Sequence, residues 1–257
     1  MQLLLLVSVL VCSLANGAPP PDNQCKRPFA VLVRSIKTLS AKRQYEYVKK
    51  LSRGLQSDDM AGIRNEYNVP HFGHLVDELH RQEMDNVLRE LMKKAEISPD
   101  HYHTIAKVLS QELDDDTFVI LMKNSTPGAK SSYQRILDRE KHIGRSVVED
   151  IPEYSAVMLG TYLKSDKYSK KAHLHLVNIL KTHPSPNVRG FATAALGQSP
   201  RKETITDLKK ALKDKASLDL LQGFGNETVS AWAQKAIESI QNNQSGKKMD
   251  RKKARLD

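Results

Sequence analysis

The feature that most constrains this chain is a motif written twice in one helical register. Val188, Phe191, Ala192, Ala195 and Leu196 lie at i, i+3, i+4, i+7 and i+8, and forty-one residues later Val229, Trp232, Ala233, Ala236 and Ile237 repeat the pattern. Such spacing places all five residues on one helix face, where the alanines let two backbones approach closely. Between the copies, Ile205, Leu208, Ala211 and Leu212 supply the apolar face of a partner helix. A self-similar unit of this length buries its face only against its neighbours, which predicts an all-α, antiparallel helix-pair array.

The remainder agrees with that class. Apolar residues recur at spacings of three and four, and no stretch of strand-like alternation or Asn-Gly hairpin signal interrupts them. The pattern predicts helical segments over Phe29–Leu55, His71–Ala95, Asp114–Lys123, Ser131–Glu149, Glu153–Lys164, Tyr168–Thr182, Asn187–Leu196, Arg201–Lys213 and Glu227–Gln241. Ser98-Pro99-Asp100 reads as a further helix start, with a Ser cap, Pro in the first turn and an acid favoured by the dipole. Pro152, Pro184-Ser185-Pro186 and Ser199-Pro200 punctuate the later helices.

At its amino end the chain opens with an apolar run, Leu3–Val11, followed by Ala15-Asn16-Gly17, the form of a secretory signal. The run is shorter than the roughly 20 residues needed to span a bilayer. The expected organisation is a signal peptide over 1–17, a Pro-rich extended leader over 18–27 and an N-terminal helical region over 28–130. A helical repeat region over 131–242 and a disordered basic tail over 243–257 complete it. Cleavage after Gly17 removes Cys12 and leaves Cys25 as the one thiol, either free or bridging two copies into a homodimer. In an exported chain Asn124, Asn226 and Asn243 head N-x-[ST] triplets and are candidate glycan acceptors.

The formal net charge of +10 is unevenly distributed. The last twelve residues hold six basic side chains, Lys247, Lys248, Arg251, Lys252, Lys253 and Arg255, against two Asp. Outside a cell this predicts anionic partners, an acidic protein, a sulfated glycan or an anionic surface, rather than nucleic acid. A solvated tail that only aids solubility is the competing reading.

Motifs for chemistry are sparse. No nucleophile elbow, HExxH or phosphate-cradling glycine loop occurs, so a non-enzymatic protein without a cofactor is expected. In a helix His71, His74 and Glu78 share a face, which makes a divalent site geometrically possible, although ordinary surface or packed histidines are the better account. Asp114-Asp115-Asp116 lacks the spaced ligands and glycine of a calcium loop and reads as a helix start. The dibasic pairs after Gly246 also have the form of a prohormone processing site.

The segment PNVRGFATAALG followed by ITDLKKALKD resembles the HEAT/armadillo-like superfamily over Pro184–Ile240. The resemblance implies an α-solenoid and places Arg189 and Asp214 as polar partners inside it. HPSPNVRGFATAALGQSP is also similar to the helical domain of vitellogenin-like large lipid transfer proteins, which implies carriage of a lipid or small hydrophobe as an alternative function.

Overall fold

The computed structural model describes residues 29–54, 71–128, 151–199, 201–218 and 227–253. By its internal contacts the chain divides into two units, Met1–Gln82 and Glu83–Asp257. Among the described residues there are eleven helices and no strand, so the all-α expectation holds. The expected signal and leader segments, the helix over 131–149, Cys25, Asn226 and Arg255 lie outside the described residues.

The first unit holds α1 (Phe29–Lys37), α2 (Ala41–Gly54) and α3 (Phe72–Arg81). α1 packs on both α2 and α3. Leu32, Val33, Ile36, Val48, Leu51, Leu75, Val76 and Leu79 are buried, which is the stripe expected from their three-and-four spacing.

The second unit holds α4 (Asp85–Lys94), α5 (Pro99–Leu109), α6 (Asp115–Asn124), α7 (Ile151–Tyr162), α8 (Ser169–Thr182), α9 (Pro186–Leu196), α10 (Glu203–Ala211) and α11 (Val229–Lys253). The helix starts follow their capping residues. Ser98 accepts from the His101 N–H with Pro99 in the first turn, Asp114 accepts from the Thr117 N–H at 2.8 Å, and Ser185 accepts from the Val188 N–H. α6, α7, α9 and α11 pack in succession, each on the next. α8 lies on α7 and α9, α10 lies on α9 and α11, and α8 and α10 touch each other.

The two copies of the motif meet directly. α9 packs on α11, and the rings of Phe191 and Trp232 stand edge to face with centroids 5.4 Å apart. Gly197 lies so close to α11 that a side chain there would come within 3.0 Å of the Ala236 Cβ. The small residues are therefore what lets the ends of these two helices approach.

Two boundaries differ from expectation. The segment 71–95 is two helices, parted around Glu83, whose φ of 59° lies in the left-handed region without a glycine to advertise it. α11 does not stop at Gln241 but carries its helical backbone through to Lys253, so the tail is not irregular from 243 onward. Past Ile240 it has no apolar stripe, yet Gln, Lys, Arg and Met are all favourable in helices.

Candidate binding cleft

The ends of α7 and α9 and the middle of α11 enclose a cleft of about 530 Å³, within the usual range for a ligand pocket. Ala194, Gly197 and Ala236 form its apolar floor with Trp232, while Lys164, Gln198, Glu227, Lys235, Ser239 and Asn243 supply its polar wall. The repeat itself creates this shape. Small residues at one end of each copy leave space that a larger side chain would fill, and Gln198 lies close over Gly160. A Cβ on Gly160 would meet the Gln198 Nε2 at 2.9 Å.

Charge within the cleft is asymmetric. Glu227 accepts from the Trp232 indole N–H and from Lys235. The Lys235 hydrogen bond, then that of Trp232, hold its carboxyl below the usual range. Lys164 is exposed and has no hydrogen-bond or ion-pair partner among the described residues. The cleft's one acid is thus engaged by Lys235, and Lys164 leaves an excess cation in the cleft lining that also holds Trp232.

Next to the cleft lies the brace that the family resemblance implies. Arg189 donates through Nε to Asp214 Oδ2 at 2.7 Å and through Nη2 to Oδ1 at 3.3 Å. Its Nη1 reaches the carbonyls of His183 at 2.8 Å and Pro184 at 3.0 Å. Burial alone would raise the Asp214 pKa, but the Arg189 hydrogen bonds, the Ala216 N–H and the Arg189 charge outweigh it and hold the group low. These groups fix the turn from which α11 departs, since the Asp214 carbonyl also accepts from the Ser230 N–H at 2.9 Å.

Buried polar residues elsewhere join helices. Asn124 donates to the Met92 carbonyl at 3.0 Å and to the Tyr102 hydroxyl at 3.1 Å, and Tyr102 meets Ser155 at 2.7 Å. Burial pushes the Tyr102 phenol up to about 12. Asn124 is thereby corrected as a glycan acceptor, because the nitrogen that would carry the sugar is buried and bound. Asn243, by contrast, is exposed on the cleft wall. Among the described residues Ser110 Oγ, Asp114 Oδ2 and Tyr162 OH are buried without a hydrogen-bond partner, although Arg89 lies 3.4 Å from that Asp114 oxygen.

The histidines do not assemble as their spacing allows. His71 is the extended residue before α3 rather than part of it, and its ring faces that of His74 at 4.1 Å. Glu78 is buried and held by Arg81 and Gln82, so it is committed away from a shared ligand set. His173 faces Asp207 at 3.3 Å, and His175 bonds Ser125 Oγ at 2.9 Å. Asp114 caps α6 and Asp115 pairs with Lys167 at 2.7 Å.

Sequence reasoning singled out neither Lys164 nor Gln198, because each reaches the cleft from a helix end whose neighbour is set by tertiary packing. Lys247, Lys248, Arg251, Lys252 and Lys253 all fall on the helical backbone of α11, beyond Asn243. Comparison with protein-family models, with curated proteins and with solved structures gives no match. Among the described residues no helix is long and apolar enough to cross a membrane.

Proposed function

We propose that this chain is an exported, non-enzymatic binding protein of HEAT-like, α-solenoid architecture that holds an acidic partner. The succession α6, α7, α9, α11 with α8 and α10 set against it supports the solenoid reading. One observation carries the function: α11 runs unbroken from the cation-excess cleft into its basic stretch. The cleft and the basic positions therefore belong to one element, able to act on one acidic partner, whether protein, sulfated glycan or anionic surface. The test is retention on immobilised heparin at low salt, reduced when Gly246–Asp257 is deleted. Flow-through of the intact protein would overturn the reading.

A second reading is favoured by the apolar floor of Ala194, Gly197, Trp232 and Ala236, which a lipid or small hydrophobe could cover. Native mass spectrometry of protein from its source would then reveal a bound ligand, and a clean unliganded mass would exclude it.

A further inference from the structure

The described residues carry a concentration of positive charge apart from the cleft. It lies on the outer side of α8 and α10. α8 buries Ala172, His173, Leu176, Val177, Ile179 and Leu180. What remains exposed is a continuous opposite stripe of Lys170, Lys171, Leu174, Asn178, Lys181 and Thr182. α10 buries Thr204, Leu208 and Ala211 and exposes Lys209 and Lys210 around Thr206, with exposed Lys202 and Lys213 flanking its two ends. Because α8 and α10 touch and both pack on α9, α8 also on α7 and α10 also on α11, these two stripes share one outer surface.

Seven lysines on this surface face two acids. Asp207 is already engaged by Lys210 and by His173, each at 3.3 Å, and Glu203 is the other. Among the described residues the side-chain ammonium groups of Lys170, Lys171, Lys181, Lys202, Lys209 and Lys213 make no hydrogen bond or ion pair, although the charge of Lys171 acts on nearby Asp115. Along α8 the lysines, from Lys170 to Lys181, span about 16 Å at 1.5 Å per residue, and packed helices lie roughly 8–10 Å apart. The result is a two-row lattice of ammonium groups suited to an extended chain of regularly spaced anions.

From this geometry, and resting on the acidic-partner reading above, we infer that the outer face of α8 and α10 is the contact surface for a linear sulfated polysaccharide. A lipid surface fits the face less well. An interfacial helix presents a row of large apolar residues, whereas Leu174 is the one exposed large hydrophobic here. A single-stranded nucleic acid calls for exposed aromatic platforms, and none of the outward positions of α8 or α10 is aromatic. Lysines acting as point charges match sulfates displayed at many orientations and require no bidentate fork.

The experiment measures the affinity of the full chain for heparin at a fixed, low ionic strength. The parent is compared with the variant K170Q/K171Q/K209Q/K213Q and with a control, K93Q/K94Q/K107Q/K123Q, that loses the same charge from exposed positions elsewhere. Circular dichroism verifies that each is folded. The expected result is a loss of affinity of at least tenfold for the first variant, against less than threefold for the control. De-sulfated heparin should fail to compete, and duplex DNA and phosphatidylserine vesicles should compete more weakly than heparin. Equal losses in the two variants would overturn the assignment, as would stronger competition by DNA or vesicles. Failure of the parent itself to bind would instead overturn the broader acidic-partner reading.

Discussion

Replacing Arg189 by leucine tests whether the fold depends on the brace at the base of α11. The guanidinium donates four hydrogen bonds, two to Asp214 and two to backbone carbonyls, and its side chain is 15% exposed. Charge-assisted hydrogen bonds contribute about 1.5–3 kcal/mol each, but four from one group do not add, because one loss relaxes the others. Breaking a fully buried pair costs about 3–5 kcal/mol. Asp214 is 24% exposed and recovers some hydration, so about 2–4 kcal/mol is expected. In a unit of this size that lowers Tm by about 5–15 °C. Chemical denaturation of the parent, Arg189→Leu, Asp214→Asn and the double variant would give the coupling directly.

The same pair dictates a pH dependence. Asp214 has a folded-state pKa below its unfolded value. Its contribution is therefore complete above the unfolded value near 4 and is lost as pH falls through the folded one. The cost of Arg189→Leu should narrow between pH 7 and pH 3, leaving the share due to the His183 and Pro184 carbonyls, which do not titrate. A cost below about 0.5 kcal/mol, the level of an exposed ion pair, would refute the reasoning. So would additivity of the two single substitutions.

Three further outcomes are expected. Gly197→Ala should destabilise by about 1–3 kcal/mol through overpacking, since its new Cβ meets the Cα of Ala236 at 3.1 Å. Gly190→Ala should be close to neutral, because it meets only the mobile end of Leu218 and gains helix propensity; thermal melts of both variants decide it. Tyr162→Phe, which removes a buried hydroxyl without a partner, should be neutral or stabilising by up to about 1 kcal/mol, whereas Asn124→Ala should cost about 1–3 kcal/mol. In an exporting host, Thr126→Val should leave the mass lost on enzymatic deglycosylation unchanged, and Asn243→Gln should reduce it.

Local signals carried much of the fold. The caps at Ser98, Asp114 and Ser185 are legible because a side-chain oxygen and an N–H three residues on are enough to start a helix. The contact of Phe191 with Trp232 is implicit in the repeated register, since two copies of one face can bury each other. The break at Glu83 was harder to read, whereas those at Ala95 and Leu113 are marked by the caps at Ser98 and Asp114 that follow them. Glu83 holds a left-handed φ of 59° where no glycine or asparagine marks the turn. Asn124 was misread for a related reason: a three-residue sequon contains no information about which side chain the core will take up.

The position of the lysines follows from the same packing logic. α7 is enclosed by α5, α6, α8 and α9, and nine of its twelve residues are buried, Tyr154 and Tyr162 among them. A helix so placed has no room for solvated charge, so charge must collect on helices buried on one side only. That accounts for the amount of charge on α8 and α10 but not for its sign. Hydration is satisfied as well by an acid as by lysine, and α6 illustrates this by exposing Asp115 and Asp116 as well as Lys123. α8 contains no acid at all. Like charges on one stripe repel and cost stability. A stripe of one sign is therefore the arrangement that solubility alone does not require and that an anionic partner does.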